Sequence, residues 1–141
     1  MRLAVLDPNI IVSAGIKPEG APAKLVMDWA LDGQMQLVTS PLIVQEYRAV
    51  GERPKFHRFG FPPLWLEFLI EDSMRLSDPL HWPHVGPDPR DLPFLARAHS
   101  AGAWLVTGNL RHFPEETREG VTVLSPADYL SHLMKRTNPR P

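Results

Sequence analysis

The chain has 141 residues, with 16 prolines, no cysteine, and 15 basic against 16 acidic side chains, for a net charge of -1. That length suits one domain with its own core, and the lack of cysteine excludes disulfide frameworks and thiolate metal sites. Near-neutral charge provides no general attraction for a polyanion, and no apolar run reaches the 18 residues that a transmembrane helix needs. We therefore expect a cytoplasmic protein without membrane contact.

The predicted elements alternate between apolar strands and amphipathic helices. Strands are predicted at residues 3–6, 37–39, 74–76, 103–107 and 121–124. Helices are predicted to begin at or near six prolines, since proline is favoured in the first helical turn: Pro8, Pro22, Pro41, Pro62, Pro89 and Pro126. This alternation predicts a single three-layer α/β/α sandwich with a central, mainly parallel sheet over residues 1–136, followed by a flexible tail at residues 137–141.

Helical spacing also predicts which side chains pack inward. The inner faces of the helices that follow Pro41 and Pro63 are predicted to be Leu42, Ile43, Tyr47 and Val50, and Leu64, Trp65, Phe68 and Leu69. Core packing is predicted for the tryptophans at positions 29, 65 and 104. Residues 77–87, which contain three prolines, are predicted to form an ordered loop.

Acidic side chains collect where predicted strands end. Asp7 follows the first strand, Glu46 lies just over a turn into the helix after the second, and Asp88 and Asp91 precede another helix. Ligands bind at this edge of an open parallel sheet. Carboxylates from separate segments repel one another unless a cation lies between them, and hard divalent ions take such ligands. With a phosphate ester, this pattern indicates metal-assisted phosphoryl hydrolysis.

Each of these residues also has a simpler interpretation. Asp7 before a proline is a good helix cap, and Asp88 and Asp91 can both cap the same helix. Glu46 is the type of residue that usually faces solvent on a helix. Asn109, in a Gly-Asn pair after a strand, suits a left-handed turn. Only their joint placement at one sheet edge favours a site.

Four segments resemble the motifs of PIN-domain nucleases, and a fifth resembles the usual closing strand and helix. In chain order they are residues 5–14, 40–47, 88–96, 105–109 and 124–130. The resemblance covers residues 2 to about 133 and is closest to the toxin components of bacterial toxin–antitoxin pairs. It implies an endoribonuclease that depends on Mg²⁺ or Mn²⁺, often forms a homodimer and is inhibited by an antitoxin protein.

Position by position, the resemblance implies that Asp7, Glu46 and Asp91 are the catalytic acids that hold the metal. Its chemistry is in-line hydrolysis of an RNA phosphodiester, in which Asp7 and Asp91 bind the metal. Glu46 completes the ligand shell or orients the attacking water.

Further positions in these motifs are expected to contact substrate or depart from the usual pattern. Asn9 and Thr107 are expected to contact substrate or orient a ligand or water. Pro8 stands where threonine is usual, and Asn109 stands at a catalytic position where many members have a fourth aspartate. Three carboxylates favour one resident metal, with a second arriving only with substrate.

Residues 48–58 form a basic stretch interleaved with aromatic residues. The stretch is a candidate surface for RNA, because cations contact phosphates and aromatic rings stack on unpaired bases. Antitoxin docking and a simple solvated loop are the alternatives. Its cations are Arg48, Arg53, Lys55 and Arg58.

Two other segments are interpreted as structural. Lys135, Arg136 and Arg140 are typical of a solvated tail. His81 and His84 flank Pro83, which keeps a regular helix from presenting both imidazoles on one face, so no metal pair is predicted.

Two other classes of function remain open. A catalytically silent module that binds RNA or a partner protein is consistent with Pro8 and Asn109. An acid-site phosphatase would also place an aspartate after the first strand, although position 9 carries Asn9 in place of the second aspartate that such enzymes need. The glycine spacing of a dinucleotide-binding loop is absent.

Overall fold

Five parallel strands form the centre of the molecule, whose computed structural model describes residues 2–80 and 88–137. The strands are β1 (Leu3–Leu6), β2 (Gln36–Thr39), β3 (Met74–Arg75), β4 (Trp104–Val106) and β5 (Val123–Leu124). Their spatial order is β3-β2-β1-β4-β5, and every pairing is parallel. Central β1 buries Ala4, Val5 and Leu6 completely, as a strand covered on both faces should. The predicted α/β class with a parallel sheet is confirmed.

Seven helices of the described part of the chain surround this sheet. They are α1 (Pro8–Ile16), α2 (Ala21–Lys24), α3 (Pro41–Gly51), α4 (Pro54–His57), α5 (Trp65–Asp72), α6 (Leu92–Ala101) and α7 (Pro126–Thr137). A π-helical segment, Leu25–Ala30, continues α2, and short 3₁₀ turns lie at Leu110–His112 and Glu115–Thr117. α6 packs on β1, β2 and β4, whereas α1 packs on α2 and α3.

Most of the prolines stand where the sequence predicts. Pro8, Pro41 and Pro126 are the first residues of their helices, and Pro22 is the second residue of α2. Pro62 and Pro89 lie three residues before α5 and α6 begin. The short helix α4, which Pro54 begins, was not predicted.

The inner face predicted for α5 is half right, since Leu69 is buried and Trp65 packs against the core. Leu64 and Phe68 are 91% and 65% exposed, and Leu42 at the start of α3 also faces outward. Six of the seven residues at positions 64–70 are apolar, so helical spacing alone cannot select the buried face. The predicted packing of the three tryptophans is confirmed, because each lies half-buried against the core. The side chains that α5 buries are Leu66, Leu69 and Ile70.

Some sequence interpretations fall outside the described residues. These are the histidines at positions 81 and 84, most of the loop predicted at residues 77–87, Arg140, and residues 138–141 of the predicted tail. α7 extends to Thr137, one residue past the predicted end of the domain. Within the ranges 2–80 and 88–137, no helix is long and apolar enough to cross a lipid bilayer.

Candidate active site

A cavity of about 360 Å³ opens at the edge of the sheet where β1 and β2 end and α1 and α3 begin. All three predicted acids, Asp7, Glu46 and Asp91, line it, each from a different segment of the chain. The topology therefore brings together residues that are 39 and 45 positions apart in the sequence. The other lining residues are Pro8, Asn9, Val12, Ser13, Val50, Arg53, Phe56, Arg90, Phe94 and His112.

Asp7 is both the cap of α1 and a buried wall of this cavity. It is only 6% exposed, and its carboxylate accepts the Asn9 backbone N–H at 3.4 Å and the Thr107 hydroxyl at 2.8 Å. Burial raises the pKa of Asp7, and the nearby charge of Asp91 raises it further. The hydrogen bonds from Thr107 and Asn9 lower this pKa, and so does the nearby His112. The carboxylate is thus held in a place that burial makes unfavourable for its charge.

The loop after β4 is bonded to the start of α1. The Gly108 N–H donates to Asn9 Oδ1 at 3.0 Å, and the Asp7 N–H donates to the Val106 carbonyl at 2.9 Å. A Cβ atom at position 108 would lie 3.2 Å from Asn9 Oδ1, so glycine permits this close approach. Thr107 is fully buried and lies outside the cavity lining; it reaches the cavity through Asp7.

Glu46 stands on α3, which is anchored to the end of β1. The buried Tyr47 hydroxyl donates to the Leu6 carbonyl at 2.6 Å, while burial and the charge of Asp7 raise the pKa of Tyr47. The Glu46 side chain is 42% exposed, and its carboxylate lies 3.7 Å from the Arg53 guanidinium. Tyr47, the next residue of α3, is therefore fixed. Among the described residues, the Glu46 carboxylate has one long ion-pair contact, with Arg53.

Asp88 and Asp91 have different roles at the start of α6. Asp88 Oδ1 accepts the Arg90 backbone N–H at 2.9 Å, which forms a turn ahead of the helix. Asp91 makes no side-chain capping bond and lies 3.4 Å from His112 Nδ1. Burial raises the pKa of Asp91, His112 lowers it, and the charge of Asp88 raises it. Of the two acids, Asp91 is the one that lines the 360 Å³ cavity described above.

His112 is the main residue of the cavity that the sequence analysis missed. It stands on the 3₁₀ turn after β4, and its Nε2 lies 2.9 Å from Asn109 Nδ2. Asn109 does not line the cavity and contacts it through His112. The Asn-x-x-His spacing was the available signal, since side chains three residues apart eclipse one another on a 3₁₀ helix. Ser13 and Arg90 were also missed.

The four predicted RNA-contacting cations are placed differently. Arg53 lines the cavity, whereas Arg48 donates to both carboxylate oxygens of Glu67, at 2.7 and 3.1 Å, and so joins α3 to α5. Lys55 and Arg58 are exposed on and beside α4. Each lies over a phenylalanine ring, 5.1 Å and 4.6 Å from the ring centroids of Phe56 and Phe59.

The cavity contains the right kind of ligand for a hard divalent cation, namely carboxylate oxygens. Among the residues that the structure describes, however, no three acidic or histidine side chains are grouped closely enough to hold one ion. Glu46 is paired with Arg53, and Asp91 is paired with His112. The donor chemistry therefore fits Mg²⁺ or Mn²⁺, while Glu46 and Asp91 are each engaged with a basic partner in this structure.

Comparison with known proteins identifies both a sequence family and similar folds. A family model described as a PIN domain matches residues 3–111. The chain is similar in fold to one in the crystal structure of VapBC2 from Rickettsia felis bound to a DNA fragment from their promoter. That pair has 14% identity, a TM-score of 0.63, and coverage of 87% of this chain and 98% of that one.

A second similar chain comes from the structure of FitAB bound to an IR36 DNA fragment. It has 17% identity and a TM-score of 0.57, over 87% of this chain and 94% of that one. A search of curated protein sequences gave no match. At these identities the two structures show a shared fold.

Proposed function

This chain belongs to the PIN-domain family, and from that premise we propose that it is a metal-dependent endoribonuclease. Membership of a nuclease family supports hydrolysis of phosphodiester bonds, while the RNA substrate and the choice of Mg²⁺ or Mn²⁺ are part of the proposal. The observation that carries it is the convergence of Asp7, Glu46 and Asp91 on one cavity.

In this proposal the three carboxylates hold the metal. A bound Mg²⁺ or Mn²⁺ supplies a water of lowered pKa and offsets negative charge on the phosphate. Asp7 is already oriented by Thr107 and by the Asn9 N–H, so its position does not change on binding. Glu46 would exchange its contact with Arg53 for one with the ion or with the attacking water. Because Asn109 adds no charge, one resident metal is favoured.

The cations near the cavity bind the RNA strand. Arg53, once it has left Glu46, is placed to contact a phosphate in the cavity, and Lys55 and Arg58 continue the basic surface along α4. The exposed ring of Phe59 offers a stacking surface for an unpaired base. Arg48 contributes less than the sequence suggests because Glu67 occupies its guanidinium.

We also propose that the chain is the toxin of a toxin–antitoxin pair, acting in the cytoplasm as a homodimer. Support comes from the two similar folds, which were solved within the VapBC2 and FitAB assemblies on DNA. A small open reading frame directly upstream of this gene, whose product copurifies with the chain and suppresses RNA cleavage, is the expected outcome. A chain that cleaves RNA equally with and without that product contradicts the pairing.

The test of the nuclease is cleavage of single-stranded RNA by the wild type and by Asp7→Asn. We expect cleavage with Mg²⁺ or Mn²⁺, none with EDTA, and a loss of at least about 100-fold in the variant, because a charged ligand is removed at constant size. Asp28→Asn, at an exposed position, is the matched control and should cleave like the wild type. Wild-type cleavage by Asp7→Asn contradicts the assignment.

A silent RNA-binding module is the second candidate function, favoured by the pairing of Glu46 with Arg53 and by the lack of three grouped ligands within the described ranges. Retained RNA binding without cleavage at any Mn²⁺ concentration would support it. Hydrolysis of a small phosphomonoester in place of RNA would instead support a phosphatase, for which Asn9 stands at an unfavourable position.

A further inference from the structure

We propose that His112 is a positioning residue of the acidic site, held in one tautomer by Asn109 so that its ring N–H orients the carboxylate of Asp91. This inference rests on the proposed function, because Asp91 is there a metal ligand. It gives a role to a histidine outside the sequence motifs and explains the asparagine at position 109.

The tautomer follows from the chemistry of the two contacts. Asn109 Nδ2 lies 2.9 Å from His112 Nε2, and an amide nitrogen can only donate, so Nε2 is the acceptor. A neutral imidazole then carries its proton on Nδ1, which lies 3.4 Å from Asp91 Oδ2. In the proposed arrangement Asn109 donates to His112 Nε2, and the His112 Nδ1–H lies on the side of the ring that is 3.4 Å from the Asp91 carboxylate.

The backbone around His112 restricts where the imidazole can go. The backbone N–H of His112 donates to the Asn109 carbonyl at 3.1 Å. The next residue, Phe113, is fully buried in the core. Arg118 Nε donates to the Phe113 carbonyl at 2.9 Å and closes the loop from the other side. An imidazole on a turn held in this way is suited to fixing the orientation of a neighbouring carboxylate.

Asn109 connects the buried Asp7 to the partly buried Asp91. Its backbone N–H donates to Thr107 Oγ1 at 3.0 Å, and the Thr107 hydroxyl donates to Asp7. The Asn109 side chain contacts His112, and the imidazole of His112 in turn lies beside Asp91. An aspartate at position 109 has no side-chain N–H to donate to Nε2 and could not select this tautomer. The Asn109 amide can therefore select this tautomer of His112, which a fourth carboxylate could not do.

The first test is the tautomer of His112 in the metal-free protein, measured by long-range ¹⁵N–¹H correlation NMR. We expect the proton on Nδ1 in the wild type, and both tautomers in Asn109→Ala, where the donor to Nε2 is lost. A wild-type His112 protonated on Nε2, or an unchanged tautomer in Asn109→Ala, overturns the inference. Neither result depends on metal, RNA or activity.

The second test is Mn²⁺ affinity, measured by electron paramagnetic resonance on the full chain. We expect His112→Ala to bind Mn²⁺ about 10- to 100-fold more weakly, the usual effect of losing the partner of a metal ligand. His112→Asn keeps an N–H that can reach Asp91 and should recover most of the affinity. Since the two residues act in series, adding Asn109→Ala to His112→Ala should weaken binding no further. His99→Ala, at an exposed position on α6, is the control.

The outcomes separate this inference from the proposed function. Wild-type protein that takes up no Mn²⁺ overturns the metal-dependent function and the positioning role with it. If the wild type binds Mn²⁺ and His112→Ala binds it equally well, only the positioning role is overturned. Thermal unfolding of each variant checks that the fold is intact, and His112→Asn keeps the inference testable should the alanine variant fail to fold.

Discussion

Two of the walls of the acidic cavity are built differently. The β1–β4 wall, residues 6–9 and 106–109, holds Asp7 with a buried hydroxyl and a backbone N–H and is closed by the Asn9–Gly108 bond. The α3–α4 wall, residues 46–56, holds Glu46 through one contact of 3.7 Å to Arg53, with both side chains about half exposed. Exposed pairs contribute about 0–1 kcal/mol, whereas leaving a buried polar group without its partner costs about 1–3 kcal/mol.

The difference explains how a site can have the right acids without a closed set of ligands. One wall is organised before anything binds, and the other can rearrange at little cost in free energy. Under the proposed function, a bound cation would draw Glu46 toward a carboxylate that is already in position. The predictions below test whether the two walls differ in this way.

The largest effect is expected from the hydroxyl in the β1–β4 wall. Thr107→Val removes the donor to Asp7 and the acceptor for the Asn109 N–H at nearly constant shape. We expect the free energy of unfolding to fall by about 1–3 kcal/mol and RNA cleavage to fall by about 10- to 100-fold. Urea denaturation and cleavage rates measure the two effects. Thr107→Ser keeps the hydroxyl and should resemble the wild type; equal losses in both variants would show that the hydroxyl is not the cause.

A smaller effect, of opposite sign, is expected for the stability of Asp7→Asn. The pKa of Asp7 is raised in the folded protein, so the wild type loses stability as the pH rises from the unfolded-state value of 3.8 through the folded one. The asparagine variant lacks this loss and should be more stable at pH 7 by about 0.5–2 kcal/mol, the usual size of a single stabilising substitution. Urea denaturation between pH 3 and pH 8 measures the difference, which should vanish at the acid end. A variant less stable than the wild type at pH 7 contradicts the account.

The smallest effects are expected on the α3–α4 wall. Arg53→Ala should change the free energy of unfolding by at most about 0.5 kcal/mol and reduce the salt dependence of RNA binding by about one contact. Arg48→Ala also removes one positive charge, but the Arg48 guanidinium is already paired with Glu67. This variant should therefore leave the salt dependence unchanged. Fluorescence anisotropy of a labelled, non-cleavable single-stranded RNA analogue in Mn²⁺, at several KCl concentrations, measures both. Equal changes in the two variants would mean that only net charge matters.

The main features of the fold could be predicted because they depend on local patterns. Short apolar runs bounded by polar residues indicate strands, and proline with a capping residue marks the helix starts, as Ser40 and Pro41 do for α3. Parallel strands then bring their ends to one edge, which is why Asp7, Glu46 and Asp91 could be placed around one cavity. The exposed face of α5 could not be predicted, because its sequence is apolar on both sides.

The parts of the site that could not be predicted depend on side-chain partners from distant segments. The roles of Arg48 and Arg53 differ only because α5 presents Glu67 to one of them. Likewise, His112 reaches the cavity because burial of Phe113 sets the path of the loop after β4. Neither contact follows from the spacing of residues along the chain, which is where sequence reasoning takes its information.

The bonds that link β1 to β4 also have a consequence for synthesis of the protein. Asp7 leaves the ribosome early, but the hydroxyl that orients it belongs to Thr107, one hundred residues later. A nascent chain that ends before β4 thus has all three acids and the α3–α4 wall, yet the β1–β4 wall of the cavity is incomplete. If the chain cleaves RNA, we expect full activity only after about three quarters of the protein has been made, when Thr107 is present to orient Asp7.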